Sequence, residues 1–358
     1  MARVLPSRCA ALVSSGRALS GDRRANGARS TQSRPIARPE TALLRRATRG
    51  DGPRLIGRSA AMDASTGLAG YIQRCREVNN VIDAKSEILA SLISFRVDGH
   101  EVGHMRKDFA DAVSQRAPDV FVKEGAEVVT LHNGLGTAQE RTEAVNRVMQ
   151  DLRGTFITGW RSEMFPVSLG FGQEPLFLVE RAAAAWFGIK AYGVHVNGFV
   201  RDSEGGMHVW VARRSKTKPT WPGMLDHIVA GGQPYGISPR ENVIKECQEE
   251  AGIPQDLAAT ARPAGCVTYE MSVDEGLKRD ALFVYDLELP ASFQPIPTDG
   301  EVEAFELWPV EKVAEVVRTT KEYKPNCCLV IIDFLVRHGY ITPEAGPGYV
   351  ELISLLHA

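Results

Sequence analysis

The spacing of hydrophobic residues changes about halfway along the chain, which indicates two parts with different architecture. Over residues 66–92 apolar positions recur every three or four residues, a pattern typical of amphipathic helices. We expect Ile72, Val78, Ile82 and Ile88 to enter a core. The first part is therefore predicted to begin with helices.

A hairpin is predicted after these helices. Residues 92–97 and 101–105 alternate between apolar and polar positions on either side of Asp98-Gly99, a dipeptide that favours a tight turn. The rest of this part is predicted to contain helical segments within 106–153, clearest over 138–152, a loop-rich passage at 165–177, and two helical turns at 179–187.

The second part is predicted to combine strands with a few helices. Its predicted strands cover 191–200, 207–213, 226–230, 265–271, 280–289 and 303–308, and its predicted helices cover 239–251, 310–319 and 326–337. This order of elements is typical of a mixed α/β (α+β) fold. We expect the boundary between the two parts near residues 180 to 190.

Charge is distributed unevenly along the 358 residues, although the formal net charge is only −2. Residues 1–60 contain thirteen Arg, no Lys and three acidic residues, whereas the remainder has 29 basic and 41 acidic residues. A leader rich in Arg, Ser and Ala without an apolar stretch is typical of an organelle transit peptide, and a basic arm that binds nucleic acid is the alternative. The acidic body argues against capture of nucleic acid or a membrane surface.

Hydropathy and cysteine content limit the class of protein further. No apolar stretch reaches the ~18 to 20 residues that a transmembrane helix needs, so we expect a soluble protein. The six cysteines form no CxxC pair, which favours reduced and mostly buried thiols in a reducing compartment. The length fits about two domains.

One apparent metal motif is rejected because of its context. His100-Glu101-Val102-Gly103-His104 matches HExxH, which binds zinc when a helix places both histidines on one face. Here a turn precedes the motif, Gly103 weakens a helix by roughly 1 kcal/mol, and the surrounding residues alternate like a strand. In a strand the two histidines lie about 13 Å apart, which is too far to share one ion. We therefore reject a metallopeptidase.

The segment GGQPYGISPRENVIKECQEEAGI, which begins at Gly231, carries the strongest candidate chemistry. Glu246, Glu249 and Glu250 stand at i, i+3 and i+4, so a helix stacks their carboxylates on one face. Such a cluster on its own is usually a solvated surface. Here a strand ends at the first glycines and Gly252 ends the helix, so the loops on both sides present the carboxylates inside a domain.

This segment resembles the Nudix box, which reads Gly, five residues, Glu, seven residues, and then Arg-Glu-apolar-any-Glu-Glu-any-Gly-apolar. Seven of its nine defined positions match, namely Gly231, Glu246, Cys247, Glu249, Glu250, Gly252 and Ile253. Ile237 and Lys245 replace the Glu and Arg that are expected to pair with each other in the family. Losing both leaves neither charge unpaired, and Glu241 is placed to pair with Lys245 at i,i+4 instead. The departure concerns the rigidity of the loop more than metal binding.

The likeness extends beyond the box. The segments WPGMLDHIVAGG, KRDALFVYDLELP, DGEVEAFELWPVEKV and KPNCCLVIIDFLVRHG resemble a Nudix branch that has an extra N-terminal domain. This branch includes plant plastid Nudix hydrolases and the Nudix half of fungal thiamine pyrophosphokinases. The resemblance implies a transit peptide at 1–61, an accessory α/β domain at 62–185, a Nudix α/β/α sandwich at 186–345 and a C-terminal tail at 346–358.

The resemblance also implies metal-dependent hydrolysis of a diphosphate linkage. Mg²⁺ or Mn²⁺ prefers oxygen ligands, and we expect it to be bound by Glu246, Glu249, Glu250 and the Gly231 carbonyl. Water attack on phosphorus needs a base, which Nudix enzymes place variably. The candidates are the glutamates of the helix and, further along the chain, Glu301 and Glu303.

Substrate contacts are predicted around a basic segment that follows a strand. Arg213 and Arg214 precede Trp221, so they are predicted to form a basic lip with an aromatic platform, and a solvated loop is the alternative. Asp226 is expected either to orient the loop at Gly231 or to cap a turn. Structural roles are expected for Trp210, His195, His208 and His227.

We predict a plastid pyrophosphohydrolase that acts on a small diphosphate, without nucleic-acid or membrane partners. The resemblance implies thiamine-type diphosphates, including damaged or oxidised forms, as substrates. The alternatives are an ADP-ribose or nucleoside-diphosphate hydrolase and a non-catalytic ligand sensor, and the three clustered carboxylates argue against the sensor. An isopentenyl diphosphate isomerase is disfavoured because Cys266 does not lie in a context like that enzyme's catalytic motif. The mitochondrion is the alternative compartment.

Overall fold

A computed structural model describes residues 67–358, so the predicted transit peptide lies outside the described residues. The hairpin predicted across Asp98-Gly99 and the helix predicted at 138–152 are both confirmed. The first part contains, in chain order, α1 (Ala69–Val78), α2 (Lys85–Ser91), β1 (Ile93–Val97), β2 (His100–Met105), α3 (Lys107–Arg116), β3 (Phe121–Glu124), β4 (Val128–Leu131), α4 (Ala138–Asp151), β5 (Met164–Val167), β6 (Phe177–Glu180) and α5 (Ala184–Phe187).

A four-stranded sheet of order β2-β1-β4-β3 organises the first part. β1 pairs antiparallel with β2 and parallel with β4, and β5 and β6 form a separate hairpin. Aromatic side chains fill the core on this sheet: the rings of Phe95, Phe109 and Phe121 all lie within 6.4 Å of the Phe187 ring, centroid to centroid. α4 begins at a capping box between Thr137 and Glu140, which satisfies its first free N–H groups.

One expectation for this part is wrong, and two others are incomplete. Ile82 was expected in the core but is 41% exposed, because it begins a short 3₁₀ turn that ends the helical repeat of α1. The region 106–153 contains the hairpin β3–β4 in addition to its helices. The segment 179–187 begins as strand β6, and helical structure starts only at Arg181.

The HEVGH segment is strand β2, as its alternation predicts. Gly103 in this strand meets the turn that ends α5, where Gly188 has a left-handed φ of +60°. A Cβ on Gly103 would lie 2.2 Å from the carbonyl oxygen of Phe187, and one on Gly188 would lie 2.2 Å from that of His104. The glycine therefore serves the close approach of two backbones.

The second part is a mixed α/β layer structure, and the helix predicted at 239–251 is confirmed to the residue. Its elements are β7 (Lys190–Arg201), β8 (Met207–Arg214), β9 (Leu225–His227), β10 (Val229–Gly232), α6 (Pro239–Ala251), α7 (Gln255–Ala258), β11 (Arg262–Val273), β12 (Gly276–Glu288), β13 (Val302–Pro309), α8 (Val310–Thr319), α9 (Pro325–Arg337) and α10 (Tyr349–Leu355).

A seven-stranded sheet lies between two helical layers. Its main path runs β11-β12-β7-β8-β13, with β10 paired to β7 and β9 paired to β8. β7 alternates its side chains between the layers: Val194 and Val196 pack with α6 and α7, whereas Phe199 packs with α8 and α9. This helix–sheet–helix order is the α/β/α sandwich that the resemblance implies.

The first helix of the described chain packs into the second part. Tyr71, Cys75 and Val78 of α1 are buried among residues of α8, α9 and α10. The Tyr71 hydroxyl donates to the Ala314 carbonyl at 3.1 Å, and the Asn79 side chain donates to the Leu355 carbonyl at 2.8 Å. The two parts are thus tied together by more than the connecting chain.

The described cysteines and helices agree with the limits set by the sequence. The five cysteines within residues 67–358 are free, and four of them are buried. No helix in this range combines the length and apolarity needed to cross a bilayer.

We predict that Gly103→Ala destabilises the protein because the added Cβ would overlap the Phe187 carbonyl. Overpacking of this kind costs about 1 to 3 kcal/mol in the free energy of unfolding. Gly136→Ala is the matched control, since the nearest atom to its Cβ would lie at 3.7 Å. Thermal unfolding of both variants checks this; equal melting temperatures would contradict the close-approach role of Gly103.

Candidate active site

The glutamate-bearing helix α6 is bounded by strong local signals. The Ser238 hydroxyl accepts from the Glu241 backbone N–H, the Glu241 carboxylate accepts from the Ser238 N–H at 2.7 Å, and Pro239 occupies the first helical position. Gly252 closes the helix with a φ of +62°. The predicted pairing of Glu241 with Lys245 is therefore wrong, because the capping box holds this carboxylate.

Lys245 pairs with the box glutamates instead. Its Nζ lies 3.1 Å from the Glu246 carboxylate and 2.7 Å from the Glu249 carboxylate. The Lys245 and Glu249 side chains are about half-exposed, whereas the Glu246 side chain is only 12% exposed. A single cation thus offsets part of the negative charge at the mouth of the site.

Gly231 provides the space that Glu246 occupies. A Cβ at this position would lie 2.4 Å from Glu246 Cδ and 2.6 Å from its Oε1. The backbone of β10 therefore passes directly against the Glu246 carboxyl group. The spacing of glycine and glutamate in the box has a steric reason here.

The third box glutamate lies deeper and meets an acidic loop. Glu250 Oε2 accepts from the Ala230 backbone N–H at 2.8 Å. Carboxylate oxygens of Glu250, Asp299 and Glu301 all lie within 4.8 Å of one another. Glu301 was predicted from the sequence, and Asp299 was missed because it lies outside the box and has no spacing relation to it.

Crowding changes the pKa values of these carboxyl groups. Burial, reinforced by the neighbouring carboxylates Glu246, Asp226 and Glu301, raises the pKa of Glu250 well above its usual range. Burial also raises the pKa of Glu246. Burial alone would raise the pKa of Glu301, but its ion pair with Lys218 outweighs this and lowers it. The site concentrates negative charge that the protein offsets incompletely.

The donor set fits a hard divalent cation. All the candidate ligands are carboxylate oxygens or, at Gly231, a backbone carbonyl, and no nitrogen or sulfur ligand is among them. The raised pKa of Glu250 is the expected state of a carboxylate group that lacks a compensating charge. A cation bound here would offset this repulsion.

The side-chain amides of Gln233 and Asn242 hydrogen-bond to the loop that precedes α6. This is the loop that the Glu and Arg missing from the box would have been expected to brace. Gln233 Nε2 donates to the Ile237 carbonyl at 2.7 Å and to the Pro234 carbonyl at 3.3 Å. Asn242 Nδ2 donates to the Gly232 carbonyl at 2.7 Å. The sequence does not predict either role, because a side-chain amide that donates to a backbone carbonyl leaves no repeating pattern.

The first part of the chain also reaches this site. Arg181 Nη1 donates to Glu163 Oε2 at 2.7 Å, and its guanidinium lies over the Phe165 ring. A Cβ on Gly232 would lie 2.9 Å from Arg181 Cζ and from Phe165 Cζ. Arg181 thus lies against Gly232, the residue that follows Gly231 in the chain.

The residues predicted to bind substrate mainly form hydrogen bonds with one another and with nearby backbone carbonyls. The Arg214 guanidinium donates to the Trp221 carbonyl at 3.0 Å and to the Asp226 carboxylate at 2.7 Å, and Arg213 donates to the Gly223 carbonyl at 3.2 Å. Trp221 is 40% exposed and has a strained φ of +53°. Their contact with substrate stays a prediction.

Glu303, the other predicted base, lies apart from the acidic group that Glu250, Asp299 and Glu301 form. Its carboxylate lies 3.7 Å from Lys216 Nζ, and its side chain is 44% exposed. It does not belong to the group formed by Glu250, Asp299 and Glu301. The structure therefore brings together the four glutamates 246, 249, 250 and 301 but leaves this one apart.

Asp226 is the centre of a buried polar cluster. It accepts from Arg214 and Cys327 and lies 3.6 Å from Lys324 Nζ. The two cations outweigh its burial and hold its pKa well below the usual range. Nearby, His195 and His227 share a hydrogen bond of 3.1 Å between their Nδ1 atoms, and burial lowers the pKa of His227 to about 4.

Two family models match consecutive stretches of the chain. The model described as a domain of unknown function, DUF4743, matches residues 70–191, and the NUDIX domain model matches residues 191–327. Two proteins of Arabidopsis thaliana are similar over most of the chain. Nudix hydrolase 24, chloroplastic, is 44% identical and Nudix hydrolase 20, chloroplastic, is 43% identical. Each alignment covers 82% of this chain and 79% of the relative.

Other similarities are more distant or shorter. An uncharacterized protein of Saccharomyces cerevisiae is 44% identical over 56% of this chain and 62% of its own length. Among solved structures, DR0079 of Deinococcus radiodurans is 20% identical with a TM-score of 0.36, covering 48% of this chain and 96% of that one. The Escherichia coli dihydroneopterin triphosphate pyrophosphohydrolase is 19% identical with a TM-score of 0.32, covering 41% and 95%.

We predict that Gly231→Ala displaces the Glu246 carboxyl group and lowers stability by about 1 to 3 kcal/mol. Shortening the crowded side chain with Glu246→Asp in the same protein should recover most of that loss, because the two residues are in direct contact. Thermal unfolding of both single variants and the double variant checks this. Losses that simply add would show that the clash is not with Glu246.

Proposed function

Because the chain belongs to the Nudix hydrolase family and is a pyrophosphohydrolase, we propose that it hydrolyses thiamine-type diphosphates, including damaged or oxidised forms, to the monophosphate and phosphate. The observation that carries the hydrolytic chemistry is the pair of buried box carboxylates Glu246 and Glu250, with Asp299 and Glu301 close to Glu250. The substrate class is supported by the resemblance of the sequence to the branch that includes the Nudix half of fungal thiamine pyrophosphokinases.

The family uses divalent cations, and we propose Mg²⁺ or Mn²⁺ for this chain. Glu246, Glu249 and Glu250 would hold the cation with the Gly231 carbonyl. When bound, it offsets the charge of the diphosphate and lowers the pKa of a water molecule. Asp299 would extend the acidic group on the side of the loop.

We propose Glu301 as the base that takes a proton from the attacking water. Its ion pair with Lys218 outweighs its burial and lowers its pKa, so its carboxylate is ionised at neutral pH. It also lies next to Glu250, whereas Glu303 pairs with Lys216 elsewhere. Lys218 orients the carboxylate of Glu301.

We propose the plastid as the compartment. Two similar proteins of a plant carry chloroplastic names, and the first 60 residues are rich in Arg and poor in acidic residues. This leader composition is typical of transit peptides.

Charge-removing variants of the carboxylates test the catalytic assignment. Glu250→Gln and Glu301→Gln keep the side-chain shape and should each lower kcat on the order of 10²-fold or more, the scale of losing one strong electrostatic contact in the transition state. Glu303→Gln is the matched control and should stay within about threefold of the parent protein. Phosphate release with Mg²⁺ or Mn²⁺ is the measurement. Near-normal turnover of Glu250→Gln would refute the metal assignment, and equal losses for Glu301→Gln and Glu303→Gln would refute the base.

A substrate comparison tests the proposed class. We expect kcat/KM for thiamine diphosphate or its oxidised analogue to exceed that for ADP-ribose and for a nucleoside diphosphate under identical Mg²⁺. One altered ring substituent changes binding by only roughly 1 to 3 kcal/mol in a pocket without a dedicated polar partner, so damaged forms should be accepted as well. If ADP-ribose is preferred by about tenfold or more, a nucleotide-type substrate replaces the thiamine proposal.

A further inference from the structure

A cavity of about 290 Å³ lies between the two parts of the chain. One wall is the loop between β5 and β6, and the other is the loop between β10 and α6, which carries part of the box. The lining includes Pro166, Phe171, Tyr192, Gln233, Tyr235 and Ile237. The Tyr235 N–H donates to the Met164 carbonyl at 3.1 Å, and the Gln233 N–H donates to the Tyr192 carbonyl at 2.8 Å. Backbone bonds therefore fix both walls.

Three aromatic side chains, those of Phe171, Tyr192 and Tyr235, line this cavity, and two of them are accessible to solvent. Phe171 is 50% exposed and Tyr235 is 49% exposed. The Phe171 ring lies 5.0 Å from Tyr192 and 4.6 Å from Phe283, centroid to centroid. Exposed aromatic rings at the mouth of a preformed cavity are typical of a site for a flat apolar or aromatic group.

Gln233 lines the same cavity and carries a buried hydrogen-bond acceptor that has no partner among the described residues. The residue is only 4% exposed, and its Nε2 is occupied by the Pro234 and Ile237 carbonyls. These two acceptors fix the orientation of the amide, since its oxygen cannot face another carbonyl. Within residues 67–358, Oε1 has no hydrogen-bond partner. A buried acceptor left in this state costs free energy unless a ligand donates to it.

The cavity is continuous along the chain with the carboxylates. Gly231 faces Glu246, Gly232 meets the guanidinium of Arg181, and Gln233 lines the cavity. Three consecutive residues of an extended segment span at most about 7 Å between the first and the last Cα. Residues of an extended segment alternate between its two faces, so Gln233 faces the same side as Gly231, and a ring beside Gln233 would direct its attached phosphates toward Glu246.

We propose that this cavity is the ring subsite of the enzyme, that it takes a nitrogen heterocycle with an amino or ring N–H donor, and that the N-terminal part of the chain builds half of it. The inference rests on the proposed function, because it names the subsite for the organic half of the diphosphate. Phe171 and Tyr235 contact the ring faces, and Gln233 Oε1 accepts from the ring donor.

Binding of a product-like ligand tests the subsite separately from hydrolysis. The probes are thiamine monophosphate and glycerol 3-phosphate, which has a phosphate but no ring, titrated calorimetrically into the full chain. Phe171→Ala should raise the Kd for thiamine monophosphate about tenfold, as expected for loss of an aromatic stacking partner with its buried area. Leu169→Ala is the matched control, since Leu169 is 51% exposed in the same loop and does not line the cavity.

Several outcomes decide between the proposals. The subsite is supported if Phe171→Ala weakens binding of thiamine monophosphate but not of glycerol 3-phosphate, while Leu169→Ala weakens neither. It is also supported if Tyr235→Phe binds thiamine monophosphate normally and Tyr235→Ala binds it weakly. Equal effects of Phe171→Ala and Leu169→Ala, or wild-type binding of thiamine monophosphate no tighter than of glycerol 3-phosphate, would overturn it. If thiamine monophosphate binds as expected but thiamine diphosphate is not hydrolysed, the proposed function is refuted and the subsite is still supported.

Discussion

Repulsion among carboxylates is the constraint on which the architecture of this protein depends. Glu246 and Glu250 are buried on one helix, and a loop brings Asp299 and Glu301 to Glu250. Gathering like charges in a place of reduced solvation is unfavourable unless positive charge approaches. Lys218 and Lys245 supply part of it, and Gly231 leaves the room that the Glu246 carboxyl group needs. The remaining imbalance favours the approach of a cation, in line with the divalent cations that the family uses.

The sequence predicted what depends on neighbours along the chain. The helix 239–251 was correct to the residue because Ser238, Pro239 and Gly252 are local signals that need no tertiary partner. The strands at 191–200 and 207–213 followed from alternation of apolar and polar residues. Two predictions are wrong for the same reason, namely Ile82 in the core and Glu241 paired with Lys245. Both assume regular helical spacing at positions where the chain instead forms a turn or a helix cap.

The sequence could not predict groups that meet only in three dimensions. Arg181 and Glu163 come from the first part, and Asp299 comes from an irregular loop, so no spacing relates them to the box. The missing Glu and Arg of the motif show the same limit. Their bracing role falls to Gln233 and Asn242, whose amides bond backbone carbonyls. A motif can therefore lose its consensus pair and keep the loop that the pair served.

The burial of α1 among α8, α9 and α10 has a consequence for the order in which the chain can fold. α1 is synthesised first among these helices, and its partners are synthesised last. At about 5 to 20 residues per second, the apolar face of α1 stays uncovered for tens of seconds on the ribosome. During that interval the side chains of α1 lack the helices that bury them in the folded protein. The intervening sheets can form early, but the final closure of the molecule must wait until the last helix has left the ribosome.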